Sequence, residues 1–197
     1  MSSSTNSWMQ DANIRMFSNG GGMRILEADL KDKAAEEQYD RGEYLRAAQL
    51  RLESLRIKDA ELGPDSVEAA YTRMHLGHAL YKCGQLDQAE KVLRQAMAVR
   101  DKKDPMGVDA AIARDELARV LVAKGDRAGA QQLRLGRENA LSCGNYDCES
   151  ACLKAFSFSE LKQCSRCKSA YYCSVKCQTA DWRDHKHYCS STSSTTS

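Results

Sequence analysis

The chain has 197 residues, of which 42% are hydrophobic and 28% charged, and its formal net charge is +2. This length suits one ordinary domain and a small module, and the nearly balanced charge argues against nucleic-acid binding through charge alone. No apolar run approaches the roughly 18 residues that span a bilayer, and the N-terminal residues lack the apolar stretch of a secretory signal. The composition therefore predicts a soluble, intracellular protein without a membrane or nucleic-acid partner.

The two ends of the chain are predicted to be disordered. Residues 1–24 begin with MSSSTNS and include glycines at positions 20–22, and residues 190–197 read SSTSSTTS, so neither segment has the apolar content to pack. A few apolar side chains in the first segment are compatible with either a short docking helix or a partner-binding segment: Trp8, Met9, Ile14, Met16 and Phe17.

Small residues recur at a fixed period between these ends. Gly42, Gly84 and Gly125 are separated by 42 and 41 residues, and each is followed five positions later by an alanine and preceded seven positions earlier by an alanine or a glycine. Small side chains at fixed offsets let neighbouring helices cross closely, which is typical of stacked helical hairpins. Residues 25–142 resemble tetratricopeptide repeats of the longer type, and we expect three hairpins there.

Turn and cap residues divide this repeat region into six helices, at about 26–41, 44–61, 65–83, 86–102, 107–123 and 127–142. Asp65 and Asp104 are the expected N-caps of the third and fifth helices. By register with the repeat family, the first helix of each pair lines a concave groove for a protein partner. The expected lining is Asp32, Lys33, Glu36, Tyr71, Met74, His75, His78, Asp115, Glu116 and Arg119.

This groove lacks the several lysines and asparagines with which some repeat domains clamp the acidic tails of chaperones, so we do not expect a chaperone-tail receptor. His75 and His78 share a helix face, but no third ligand follows from the sequence. They are predicted to be groove or surface residues and not metal ligands.

Eight of the nine cysteines lie between Cys143 and Cys189. In a reducing compartment such a cluster binds metal more often than it forms disulfides. The pairs are Cys143-x4-Cys148, Cys164-x2-Cys167, Cys173-x3-Cys177 and His185-x3-Cys189. Together they supply seven sulfurs and one imidazole, which are the eight ligands that two tetrahedral zinc ions require. We therefore predict two zinc ions.

Residues 143–189 closely resemble the MYND zinc finger, because Tyr172, Gln178 and Trp182 also stand at the expected spacing among these ligands. The resemblance implies a small cross-braced module in which the pairs alternate between metals. Cys143, Cys148, Cys173 and Cys177 would hold one zinc, and Cys164, Cys167, His185 and Cys189 the other. The first pair departs from the usual Cys-x2-Cys, so Cys152 remains an alternative to Cys143, while His187 is expected at the surface.

The resemblance also implies that the finger binds short proline-rich peptides through Ser165, Gln178 and Trp182; the alternative is that Trp182 only packs its helix onto the zinc knuckles. Zinc sites saturated by protein ligands leave no position for water or substrate, which argues against catalysis. We therefore expect a mainly α protein, a repeat array followed by the finger, that acts as a non-catalytic protein-interaction adaptor. The alternative is an accessory subunit of a protein lysine methyltransferase system.

Overall fold

A computed structural model describes residues 21–189 of the chain, so the N-terminal apolar side chains and the tail at 190–197 lie outside the described residues. The mainly α prediction is confirmed. The repeat region contains helices α1 (Gly21–Asp40), α2 (Tyr44–Leu62), α3 (Val67–Lys82), α4 (Leu86–Lys103), α5 (Val108–Ala123) and α6 (Arg127–Leu135). Among the helices in the described range, none is both long enough and apolar enough to cross a membrane.

The cysteine-rich region is small and mostly irregular. Two short 3-10 helices, Glu149–Cys152 and Phe158–Glu160, precede strands β1 (Lys162–Gln163) and β2 (Tyr171–Tyr172), which pair antiparallel with Lys162 opposite Tyr172. Helix α7 (Val175–His185) closes the region. The buried cluster of this region contains five cysteines beside Phe156, Tyr171 and Tyr172, so this part of the fold depends on contacts among the cysteines and with the repeats.

The periodic glycines form the turns inside the three hairpins. Gly42, Gly84 and Gly125 have φ angles of 81°, 74° and 92°, in the left-handed region that disfavours other residues. In the first turn, the Gly42 N–H donates to the Tyr39 carbonyl and the Glu43 N–H to the Gln38 carbonyl, both at 2.9 Å, and the other two turns repeat this pattern. This is the Schellman arrangement, which satisfies the last carbonyls of a helix. The repeat therefore reflects a backbone requirement at each turn.

The other small residues lie where the helices cross. Ala47, Ala89 and Ala130 are fully buried, and a methyl group added at Gly77 would overlap the Leu93 side chain of α4. One continuous apolar core runs through the array and includes Leu76, Leu80, Leu93, Leu117 and Leu121.

Several predicted helix ends are wrong. Helix α1 begins at Gly21, within the predicted disordered segment; Gly21 is buried and Arg24 forms a 2.7 Å ion pair with Glu61, so packing on α2 outweighs the low helix propensity of glycine. The N-cap of helix α3 is Ser66, whose side chain accepts a hydrogen bond from the Ala69 N–H, one residue later than the expected Asp65 cap.

Two further boundaries differ from the predicted ones. Asp104 follows the end of α4, and Gly107 precedes α5. Helix α6 ends at Leu135 and not near residue 142. Leu141 instead exchanges backbone hydrogen bonds of 3.0 and 2.8 Å with Phe156, so the residues after Gly136 already pack with the cysteine-rich region.

Candidate metal centre and peptide face

The eight predicted ligand side chains lie in two groups. The first cysteine group contains Cys143, Cys148, Cys173 and Cys177, and the second contains Cys164, Cys167, His185 and Cys189. Within each group the possible ligand atoms all lie within 4.8 Å of one another. The second group is fully buried, whereas Cys173 and Cys177 of the first are half-buried. These are the two sets that the alternating pattern of the MYND resemblance implies.

Local backbone structure aims each side chain. Cys164 and Cys167 lie in the turn between the strands, where the Cys164 N–H donates to the Ala170 carbonyl at 2.8 Å and Lys168 takes a left-handed φ of 56°. Helix α7 begins behind Ser174, whose hydroxyl accepts from the Cys177 N–H at 3.1 Å. The helix carries Cys177 in its first turn and His185 at its end, so a single helix contributes to both groups.

The distances between ligand atoms fit a tetrahedral metal. Four sulfurs about 2.3 Å from one zinc ion are about 3.8 Å apart. The Sγ–Sγ distances are 3.6 Å for Cys148–Cys173, 3.5 Å for Cys173–Cys177 and 3.8 Å for Cys164–Cys189. The Cys167 Sγ lies 3.4 Å from the His185 Nε2. Disulfide sulfurs are about 2.05 Å apart, so the separations match a zinc finger and not disulfides.

Burial and hydrogen bonding shift the pKa values of the predicted ligand side chains in different directions. Burial raises the pKa of Cys148 to about 11 and that of Cys189 to about 12, so these thiols ionise readily only beside a cation. Burial also opposes ionisation of Cys164, but the backbone N–H groups of Cys167 and Arg166 bring its pKa below the ordinary value. Burial lowers the pKa of His185, which favours the neutral imidazole that coordinates metals.

The cysteine-rich region is docked against the concave side of the repeats, which the sequence did not predict. Arg119 of α5 is only 3% exposed and pairs with Asp181 of α7 at 2.8 Å, and it also donates to the Gly144 carbonyl. The Tyr172 hydroxyl donates to the other Asp181 oxygen at 2.6 Å. Arg119, expected to line an open groove, is therefore buried under the finger.

Further buried contacts extend this interface. Arg134 of α6 pairs with Asp115 at 2.6 Å and donates to the Ser169 carbonyl of the finger. The ring of Tyr146 stacks on His78 with centroids 3.6 Å apart, and His78 bonds Glu116. The predicted groove residues at the C-terminal end of the array thus hold the finger in place.

The residues implied in peptide binding lie away from this interface. Gln178 and Trp182 are four residues apart on α7, whereas Asp181, which contacts Arg119, points about a quarter turn away from them around the helix. Trp182 is 42% exposed, although its ring lies 5.9 Å from that of His185, and Ser165 is exposed. Trp182 therefore packs beside a predicted ligand while keeping much of its ring in solvent.

Val175, which was not among the predicted peptide-binding residues, is 63% exposed on the same stripe of α7. Its spacing of three residues from Gln178 and seven from Trp182 is the helical periodicity that would have revealed it. Val175, Gln178 and Trp182 form what we call the Trp182 stripe.

Cys152 and His187 lie outside both groups. Cys152 is an exposed free thiol, and Cys143 is the buried partner that joins Cys148 in the first cysteine group. His187 is exposed, as expected.

Comparisons with known proteins agree with this architecture. Residues 142–189 match the family model of the MYND finger, and residues 69–102 match that of a tetratricopeptide repeat, which confirms both resemblances.

N-lysine methyltransferase SMYD2-A of Danio rerio is 57% identical over 30 residues, which make up 15% of this chain and 7% of the relative. A SET and MYND domain-containing protein of Dictyostelium discoideum is 59% identical over 29 residues, 15% of this chain and 5% of that protein. Tudor domain-containing protein 1 of Danio rerio is 59% identical over 27 residues, 14% of this chain and 2% of that protein. The chain thus spans only a small fraction of the length of these relatives.

Proposed function

We propose that this chain, which carries a zinc-binding MYND finger behind tetratricopeptide repeats, is a non-catalytic adaptor that joins two protein partners. The finger would bind short proline-rich peptides through Ser165, Gln178 and Trp182, and the remaining repeat groove would bind the second partner. Two sites on one chain raise the effective concentration of one partner near the other. Because the proposed ligands include seven thiols, we place the protein in a reducing compartment, the nucleus or the cytoplasm.

The proposal includes two zinc ions, one on each group. Cys143, Cys148, Cys173 and Cys177 would bind the first and Cys164, Cys167, His185 and Cys189 the second. Within each group the possible ligand atoms already lie within 4.8 Å of one another, close enough to share one ion. When bound, zinc supplies folding free energy to a region whose strands are two residues long. With four protein ligands, each ion keeps no open position, which supports a structural and not a catalytic role.

The exposed Trp182 stripe is the observation that carries the peptide-binding proposal. The indole is an apolar surface for proline rings, and the Gln178 amide beside it can both donate and accept hydrogen bonds with an extended backbone. Asp181, which docks on Arg119, points about a quarter turn of α7 away from this stripe. Peptide binding would therefore leave the contact between the finger and the repeats intact.

Affinity selection from a library of proline-rich peptides, with the zinc-loaded full chain as bait, tests this function. Trp182→Ala should lose the selected peptides, while Leu153→Ala, which truncates another exposed apolar residue of the finger, should retain them. Zinc content and circular dichroism should be the same for both variants. Equal retention by the parent and Trp182→Ala would refute peptide binding at this stripe.

The alternative, an accessory subunit of a lysine methyltransferase system, has one supporting observation. Two of the relatives above are named as a lysine methyltransferase or as a SET and MYND protein, although the matches span 30 and 29 residues. Association of the chain with a methyltransferase, together with a change in the rate at which that enzyme transfers methyl groups, would favour this alternative over the adaptor.

A further inference from the structure

A cavity of about 500 Å³ lies between the repeats and the finger. Its walls come from α1, α2, α3 and α5 on the repeat side and from residues 142–152 on the finger side. This volume falls within the range of ligand pockets. Docking of the finger covers one end of the predicted groove and adds a wall along its remainder, which stays open to solvent at Glu36, Asp40, Asp147 and Glu149.

The cavity walls carry unbalanced negative charge. Glu36 and Asp40 of α1 and Asp147 and Glu149 of the finger line the cavity, and among the described residues none of these carboxylates has an ion-pair partner. Further wall carboxylates, Asp109, Asp115 and Glu116, are already paired with Arg100, Arg134 and His78.

Positive charge in the walls is already used. Arg51 is the single lysine or arginine that lines this cavity in the described part of the chain, and it is buried 3.1 Å from Asp32. A ligand that enters therefore meets carboxylates that have no matching cation in the walls. This asymmetry favours a cation and disfavours the acidic tails that basic repeat grooves bind.

Aromatic rings form a continuous row along the same walls. Tyr71 lies 4.3 Å from His75, His75 lies 6.1 Å from Tyr146, and Tyr146 lies 5.7 Å from Tyr39, measured between ring centroids. The Tyr146 hydroxyl and the His75 Nδ1 are 2.6 Å apart, and among described atoms the buried His75 Nε2 has no hydrogen-bond partner. Aromatic faces beside carboxylates are the environment that attracts ammonium and guanidinium groups.

We propose that this cavity binds a lysine or arginine side chain on an extended segment of the second protein partner. The aromatic row contacts the aliphatic part of the lysine or arginine side chain and its charged end group. Glu36, Asp40, Asp147 and Glu149 neutralise the charge of that group. This inference rests on the adaptor function, because it specifies the chemistry of the partner held by the repeat groove. It also requires a docked finger, since Tyr146, Asp147 and Glu149 form one wall.

Peptide selection on the zinc-loaded full chain tests the proposal. The probe is a set of heptapeptides with degenerate flanks and lysine, arginine or norleucine at the centre. Norleucine has nearly the shape of lysine without its charge. We expect enrichment of the lysine or arginine members, and an affinity for the best sequence about tenfold above that of its norleucine counterpart. No enrichment over norleucine would overturn the proposal.

A matched pair of variants separates the cavity from general electrostatic attraction. Glu36→Gln with Asp147→Asn should weaken the selected peptide about tenfold. Glu37→Gln with Glu138→Gln removes the same total charge outside the cavity, at positions that are exposed like Glu36 and Asp147, and should change the affinity less than twofold. Equal effects of the two pairs would refute binding in the cavity.

Binding of the cationic peptide should not depend on the Trp182 stripe. Trp182→Ala should leave binding of the cationic peptide unchanged while removing proline-rich ligands. If the parent chain selects cationic peptides but no proline-rich ones, the Trp182 stripe is rejected and the cavity proposal stands, and the converse result rejects the cavity alone.

Discussion

Replacing Arg119 by methionine tests whether the buried ion pairs hold the finger on the repeats. The side chain is 3% exposed and lies 2.8 Å from Asp181, 3.6 Å from Glu116 and 3.8 Å from Asp115. Glu116 keeps His78 as a partner and Asp115 keeps Arg134, so Asp181 is the carboxylate that loses its cation. A buried charge without its partner costs about 3–5 kcal/mol, and we expect a loss of this size in the free energy of unfolding.

Urea unfolding of the zinc-loaded chain, followed by far-ultraviolet circular dichroism, measures this loss. Arg94→Met is the matched control, because Arg94 is 52% exposed and its pair with Glu90 should contribute less than about 0.5 kcal/mol. Adding Asp181→Asn to Arg119→Met should recover part of the stability, since the stranded charge is removed while Tyr172 keeps an acceptor. An Arg119→Met cost no larger than that of the control would refute the reasoning.

Three other perturbations test the fold and its coupling to the finger. Gly77→Ala should lower the unfolding free energy by about 1–3 kcal/mol because the new methyl overlaps Leu93, and urea titration should show most of this loss relieved by Leu93→Val. Cys164→Ser should reduce the zinc content and the protection of amides from hydrogen exchange in α5, α6 and the finger. Cys152→Ser, at an exposed thiol outside both groups, should change neither quantity. Full amide protection of α6 after zinc loss would contradict this coupling. Burial lowers the pKa of His75 from 6.5 to about 3. Arg51 and His78 add to this lowering, whereas Glu116 and Asp32 oppose it. The unfolded chain therefore takes up a proton that the folded chain does not, and stability should fall by about 1 kcal/mol between about pH 7 and pH 5.5. His75→Gln should remove this part of the pH dependence in urea titrations at constant zinc content, and an unchanged slope would refute the assignment.

Local requirements are the part of the fold that the sequence predicts well. Gly42, Gly84 and Gly125 stand out because a tight turn needs a positive φ, and the alanines stand out because crossing helices exclude larger side chains. The cysteine pairs are equally local, since each spans a few residues of chain. Their alternation between two groups followed from the family resemblance and not from spacing.

Long-range polar contacts are the part that the sequence does not predict. Arg119 and Asp181 are 62 residues apart in the chain, and an arginine among acidic residues on a helix face is as typical of an open groove as of a buried interface. The end of α6 was missed for a related reason. Leu133 and Leu135 continue a helical pattern, but Leu141 pairs with Phe156 and the chain leaves the helix at Gly136.

Helix α7 carries Trp182 on one face and Cys177 and His185 of the two candidate metal groups near its ends. A peptide that orders this helix and a metal that orders it are therefore thermodynamically linked. By reciprocity, any factor by which zinc tightens peptide binding is the factor by which the peptide tightens zinc binding. An assembled complex should then release zinc to a chelator more slowly than the free chain does, and partner occupancy would set how much metal the protein holds when zinc is scarce.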